Sequence, residues 1–261
     1  MAHDHMIELL DLDAEVLDDY FRDLVAWVGR EAPDRPRIVD LGAGSGTASL
    51  ALARQLPGAT VTAVDMSPEM LAHLRGRADA AGLGDRIRTV EADLDQPWPD
   101  LGPTDVIWAA ASMHHLADPA TALASAYGAL RPGGLLVIAE LESFPRFLTG
   151  TEGEDVELRG HAEAAKRRHE AGLHMHENWG DRASQAGFTS VTERHFDIDL
   201  RPPLPAVATR YAQLSLARMR HGLEERLSAP DLAALDTIVA GLADRDDLSV
   251  RTERTVWLAR R

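Results

Sequence analysis

The chain has no cysteine, which excludes disulfides, thiolate metal sites and a thiol nucleophile. Lysine is nearly missing as well: Lys166 stands alone, and 27 basic residues face 42 acidic ones for a formal net charge of -15. Binding DNA or RNA takes clustered Lys and Arg that release counterions, so this balance argues against a nucleic-acid partner. No stretch approaches the roughly 20 continuous apolar residues of a membrane helix, so no membrane partner is expected. The start, MAHDHMIELLDLD, lacks the positive and apolar regions of a signal peptide, and the expectation is a cytoplasmic protein. Two motifs are missing too. There is no Gly-Lys-Ser/Thr, which excludes a P-loop, and no His-Glu-x-x-His metal helix.

What is present centres on residues 37–52, RIVDLGAGSGTASLAL. Ile38, Val39 and Leu41 read as a buried strand, and Gly42, Gly44 and Gly46 as a turn where a ligand can lie against bare backbone. Leu50, Ala51, Leu52 and Leu56 then suit the inner face of a helix that stops at Pro57-Gly58. The dinucleotide fingerprint needs a third glycine where Thr47 stands. Here it comes one residue early, at Gly46, with Asp40 just before the turn. The next apolar run ends at Asp65, about 20 residues on, where a carboxylate can accept both hydroxyls of a ribose. Asp65 read in isolation is a helix cap before Ser67-Pro68; beside the glycine turn, the ligand reading prevails.

Strand and helix alternate from here: strands at 87–91, 105–109 and 135–139, a helix from Ser67-Pro68, another from Asp118-Pro119 through Leu130, and a turn at Pro132-Gly133-Gly134. Such alternation predicts a parallel sheet with helices on both faces and ligands at the carboxyl ends of its strands. Gly42, Asp65, Asp93, Ala109 to His115, and Glu140 all fall at such ends. Outside this frame, Asp13 to Arg30 reads as one amphipathic helix preceded by a flexible tail at His3 to His5. Further helices are expected at about 159–171, 206–221 and 229–243, and strands at 188–198 and 252–259. The expected architecture is one α/β, Rossmann-like doubly wound domain with a mostly parallel sheet. Its core covers about 34–142, 179–200 and 251–261, with helical lid additions at about 1–30, 143–178 and 201–250.

The blocks VDLGAGSG, VTAVDMSPEML, EADLDQPWP, DVIWAAASMHHL and LRPGGLLVIAE, in this order, resemble the class I S-adenosylmethionine-dependent methyltransferases. By that resemblance Gly42, Ala43, Gly44 and Gly46 pass under the methionine part of S-adenosyl-L-methionine, Asp65 holds the ribose and Met66 packs on adenine. Asp93 and Leu94 match the block that meets the adenine amino group and ring face, and Asp40 and Ala109 complete the cofactor site. The product would be S-adenosyl-L-homocysteine, and the resemblance implies that the last strand of the sheet runs antiparallel between its neighbours. The N-P-P-Y loop of enzymes acting on nucleic-acid bases is replaced by AASMHH, which leaves a small-molecule metabolite as acceptor, through O, N or C.

His114 or His115 follows the strand whose end meets the reacting sulfur in that family, and either could accept a proton from the acceptor; the plainer reading is one histidine bonded to backbone and the other at the pocket edge. Tyr20, Glu140, Arg146 and His176 are substrate-side candidates. Core packing competes for Tyr20, water contact for Glu140, an ion pair for Arg146 and a solvated loop for His176. His174, His176 and Glu177 invite a metal reading, but no second ligand cluster can be tied to them. A nicotinamide-dependent oxidoreductase and a non-catalytic S-adenosylmethionine-binding protein stand as alternatives. Monomer and homodimer both remain open.

Overall fold

A computed structural model describes residues 2–261, with side chains from residue 5 onward. Seven strands form one sheet in the order β3-β2-β1-β4-β5-β7-β6: β1 Arg37–Leu41, β2 Thr60–Asp65, β3 Ile87–Glu91, β4 Thr104–Ala110, β5 Leu130–Leu141, β6 Thr189–Leu200 and β7 Val250–Arg260. The first five are parallel, with Leu41 level with Val64 and Ala109, Asp65 with Glu91, and Ala110 with Ala139. This register puts the last residues of these strands along one edge. In β7 the direction reverses: Arg261 donates to Gly134 while Glu142 donates to Glu253, so β7 descends as β5 rises.

The α-helices are α1 Ala2–Val16, α2 Asp18–Glu31, α3 Thr47–Gln55, α4 Pro68–Ala80, α5 Pro119–Ala129, α6 Glu154–Glu170, α7 Trp179–Gln185, α8 Ala206–Gly222 and α9 Ala229–Gly241. Their starts follow local chemistry. Ser67, Asp118, Asn178 and Ser228 each accept a backbone N–H in the first turn, and proline opens α4, α5 and α9.

The chain forms two compact units. One holds Leu17–Glu140, His176–Phe196 and Thr255–Arg261; the other holds the chain through Val16, Leu141–Met175 and Asp197–Arg254. The first unit is built on the sheet, whose inner side chains include Val39, Leu41, Ile107, Ala109, Leu136, Ile138 and Trp257, all buried. In the second, α1 meets α8, where the Tyr211 hydroxyl donates to Asp13 Oδ1 at 2.5 Å. Burial, the Asp13 charge and this bond hold the Tyr211 pKa well above its ordinary value.

Four points correct the sequence reading. The helix expected over 13–30 is two helices broken at Leu17, whose φ of -100° and ψ of 23° leave the helical region; Asp18 and Asp19 then suit the first turn of α2. The tail expected at His3 to His5 belongs to α1. α6 begins at Glu154, five residues early, because Gly153 enters a left-handed turn (φ 96°) and Glu154, Asp155 and Glu157 complement the helix dipole. Finally, Pro132-Gly133-Gly134 stays within β5 as an irregularity, since Thr104 is level with Leu130 but Val106 with Leu135.

Candidate functional site

The glycine turn is held from three sides. Gly42 and Ala43 both donate to the Val64 carbonyl at 2.8 and 2.9 Å, tying the turn to the end of β2. Gly44 N donates to Asp65 Oδ2 at 2.8 Å, and Ser67 N donates to Oδ1 at 2.9 Å. From α4, Arg77 Nη1 donates to the Ser45 carbonyl at 3.0 Å. Asp65 therefore braces the turn and starts α4 together, and each oxygen keeps a lone pair for a further donor. Met66 beside it is 68% exposed, an unusual position for a large apolar side chain.

Two of the glycines are required by the protein itself. A Cβ on Gly42 would lie 2.6 Å from Ser112 Cβ, and one on Gly46 would lie 2.4 Å from Leu74 Cγ. Their bareness serves close packing of turn, α4 and the β4 loop. Asp40 lies buried in β1 and accepts from Ser49 Oγ at 2.6 Å. Burial raises its pKa to about 7, helped by the Asp65 charge and opposed by Ser49.

Asp93 and Leu94 follow β3, whose end is joined to β2 by Ala92 N donating to the Asp65 carbonyl at 3.1 Å. Asp93 is exposed and Leu94 half-buried. Asp93 Oδ1 accepts from Asp95 N at 3.0 Å, and Asp95 Oδ1 in turn accepts from Ala117 N and Asp118 N at 2.9 and 3.2 Å. Asp95 thus ties this loop to the one after β4, a role the sequence reading missed; its only sequence signal is the D-x-D spacing. Ala109 was expected at the cofactor. It is fully buried in the sheet core, and Ala110 and Ala111 are the residues of this strand end that reach the surface.

The β4 loop carries the densest chemistry. Ala111 adopts φ 50°, rare for a residue with a Cβ. Ser112 Oγ is buried without a partner. His114 Nδ1 lies 2.6 Å from Glu140 Oε2, and Met113 N donates to Oε1 at 2.9 Å. His114 and Glu140 are both 4% exposed. Glu140 was expected to touch substrate or water; it is buried, with one oxygen facing His114 Nδ1 and the other accepting from Met113 N. His115 is exposed at its edge, its ring centroid 4.1 Å from that of His114. Crowding around the ring, then repulsion from His114, lower the His115 pKa, while Glu140 opposes them.

The remaining candidates scatter. Tyr20 is buried in α2 and packs edge-on against Phe21 and Phe196, with centroids 5.2 and 5.0 Å away. His176 is exposed, with φ 60°, and Glu177 pairs with Arg182 at 2.9 Å. Among the described residues no three His, Asp or Glu side chains are arranged to hold a metal ion. Arg146 belongs to the other unit, where it pairs with Glu154 at 3.8 Å and bridges Arg251 through its backbone.

Comparison with known proteins agrees with this geometry. A family model described as a methyltransferase domain matches residues 38–134. Demethylmenaquinone methyltransferase of Thermus thermophilus is 41% identical over 111 residues, 42% of this chain and 49% of that protein, so the chain spans about half of it. Ubiquinone biosynthesis O-methyltransferase of Xylella fastidiosa is 31% identical over 179 residues, 59% of this chain and 70% of that one. Among solved structures, that of the [4+2]-cyclase SpnF covers 92% of this chain and 80% of its own with a TM-score of 0.55 at 21% identity, which speaks to fold alone. With the glycine turn braced by Asp65 at the carboxyl edge of the sheet, and a relative this similar over most of its length, the chain belongs to the class I S-adenosylmethionine-dependent methyltransferase family of enzymes.

Proposed function

We propose that this chain methylates a hydroxyl of a small-molecule acceptor, with S-adenosyl-L-methionine as cofactor and His114 as the proton acceptor. The buried His114–Glu140 pair carries the reading. A carboxylate only accepts hydrogen bonds, so in a neutral ring Nδ1 bears the hydrogen and Nε2 keeps its lone pair for a proton. Glu140 also holds Met113 N, which fixes the backbone beside the ring.

The residues at the edge suit the cofactor. Each Asp65 oxygen retains acceptor capacity for a ribose hydroxyl beyond its backbone bond, the exposed Met66 side chain offers an apolar face for adenine, and Ser112 Oγ is a buried polar atom still lacking a partner. When bound, S-adenosylmethionine supplies a methyl group on a positively charged sulfur. The chain's part is to hold the acceptor in line with it and take the hydroxyl proton. The relatives' names, demethylmenaquinone methyltransferase and ubiquinone biosynthesis O-methyltransferase, support a small-molecule acceptor, and the second supports oxygen as the atom.

The test joins binding with turnover. Calorimetry should show S-adenosylhomocysteine binding and no comparable binding of NAD; preference for NAD would restore the oxidoreductase reading. Incubation of methyl-labelled cofactor with a panel of catechols and hydroxyquinones should place label on oxygen. The SpnF name shows that another reaction can run on this fold. An acceptor chemically altered while the cofactor keeps its methyl group would replace methyl transfer by such a reaction.

A further inference from the structure

The second unit contains a cationic cluster that methyl transfer does not explain. His161 and Arg168 stand seven residues apart on α6, two turns and therefore one face. Both meet the segment Phe144-Pro145-Arg146. The Arg168 guanidinium lies 3.5 Å over the Phe144 ring, and His161 bonds to the Pro145 backbone.

Arg168 forms no ion pair among the described residues, although arginines elsewhere in the same unit are matched: Arg159 with Asp231, Arg210 with Glu8 and Arg245 with Asp247. In a chain of net charge -15 an unmatched, half-buried arginine is conspicuous. Burial lowers its pKa to about 10, and the nearby Arg167 and Arg218 add to the shift. Stacking on Phe144 covers one face of the guanidinium and leaves the N–H edge as donor.

His161 supplies the complement. Proline's backbone has only a carbonyl to offer, so the ring donates to Pro145, and Nε2 is buried with no partner. Burial, with Arg168 and Arg146 close by, lowers the His161 pKa to about 4. At neutral pH Nε2 is therefore a lone-pair acceptor set beside cations. A ligand satisfying these two groups brings an anion for the Arg168 guanidinium and an O–H for the imidazole.

We propose that Arg168 and His161 form a binding site for a small hydroxycarboxylic acid, the carboxylate held by Arg168, with the Glu154-paired Arg146 close to the ring, and the neighbouring hydroxyl donating to His161 Nε2. The site lies within one unit and needs neither cofactor nor turnover, so its test is independent of the methyl-transfer reading.

The experiment uses the full chain without cofactor and two probes that differ only by a hydroxyl, malate and succinate. Titration calorimetry should show saturable binding of malate, with succinate about 2–10-fold weaker, the worth of one neutral hydrogen bond. The ¹⁵N resonance of His161 Nε2 should shift with malate and not with succinate. Arg168→Gln should weaken both probes by about tenfold or more. His161→Phe should abolish the preference for malate while leaving succinate binding in place; circular dichroism checks that both variants fold. Absence of saturable malate binding, equal affinity for both probes with the His161 resonance unmoved, or full affinity in folded Arg168→Gln would each overturn the proposal.

Discussion

His114 Nδ1 sits 2.6 Å from Glu140 Oε2, with both side chains buried and the other Glu140 oxygen accepting Met113 N. One residue ends β5 and the other belongs to the loop after β4, so parallel pairing of these strands is what brings them together. His114→Ala should lower single-turnover methylation by about 10²–10⁴-fold, and Glu140→Gln, which keeps the shape but removes the charge, by about tenfold or more. S-adenosylhomocysteine affinity should be unchanged in both. Because the two act as a unit, the double variant should be little worse than His114→Ala. Additive losses, or a parallel loss of cofactor affinity, would make the pair a structural tie.

At the other end of the edge, Asp65 anchors the glycine turn through Gly44 N and α4 through Ser67 N. Asp65→Ala removes both bonds and any bond to ribose, so its effect on cofactor affinity mixes binding with loop order. Asp65→Asn is the cleaner variant, since its carbonyl can keep one backbone bond. Calorimetry with S-adenosylhomocysteine should show a loss of about 1.5–3 kcal/mol for Asp65→Ala and an intermediate loss for Asp65→Asn. Equal affinity in wild type and both variants would take Asp65 out of the site.

The parallel core was legible because its signals are local. β-rich runs end in Gly42, Asp65 and Asp93, and Ser67 and Asp118 announce helices by their caps. Glu140 was read as a substrate-side residue, and its contact with His114 stayed hidden, since a glutamate at a strand end looks the same whether it meets solvent or a buried imidazole 26 residues away. The α1–α2 break was hidden because Val16, Leu17 and Tyr20 continue one helical period across Leu17. The role of Gly46 was half legible: the motif asks for glycine, but only the fold shows Leu74 occupying the space a side chain would need.

That contact has a measurable cost. Gly46 has φ 87°, and a Cβ there would lie 2.4 Å from Leu74 Cγ and 2.8 Å from Cδ1. Gly46→Ala combines left-handed strain with overpacking and should destabilise by about 2–4 kcal/mol. Adding Leu74→Ala removes the clash but not the backbone strain. If Gly46→Ala costs less in the Leu74→Ala background than in wild type, by urea unfolding, packing contributes; an equal cost in both would assign the glycine to backbone conformation alone.

Asp40 allows a test by pH. Its pKa in the folded protein is raised to about 7, first by burial and then by the Asp65 charge, against the hydrogen bond from Ser49; in the unfolded chain an aspartate titrates near about 3.9. Below both values the group is protonated in either state and stability is unaffected. As pH rises from about 4 to about 7 the unfolded chain releases the proton while the folded one keeps it, so stability falls by up to about 1.4 kcal/mol per pH unit. Asp40→Asn has no proton to release and can still accept from Ser49. Its stability relative to wild type should grow across that window and level off above about pH 7. His161 works in the opposite sense, because its lowered pKa makes acid destabilising, but it is common to both proteins and cancels in the difference. Urea unfolding of the cofactor-free proteins at several pH values gives that difference directly. A wild-type and Asp40→Asn gap that does not change with pH would mean that Asp40 is ionised in the fold throughout, and that the turn above it carries two adjacent negative charges.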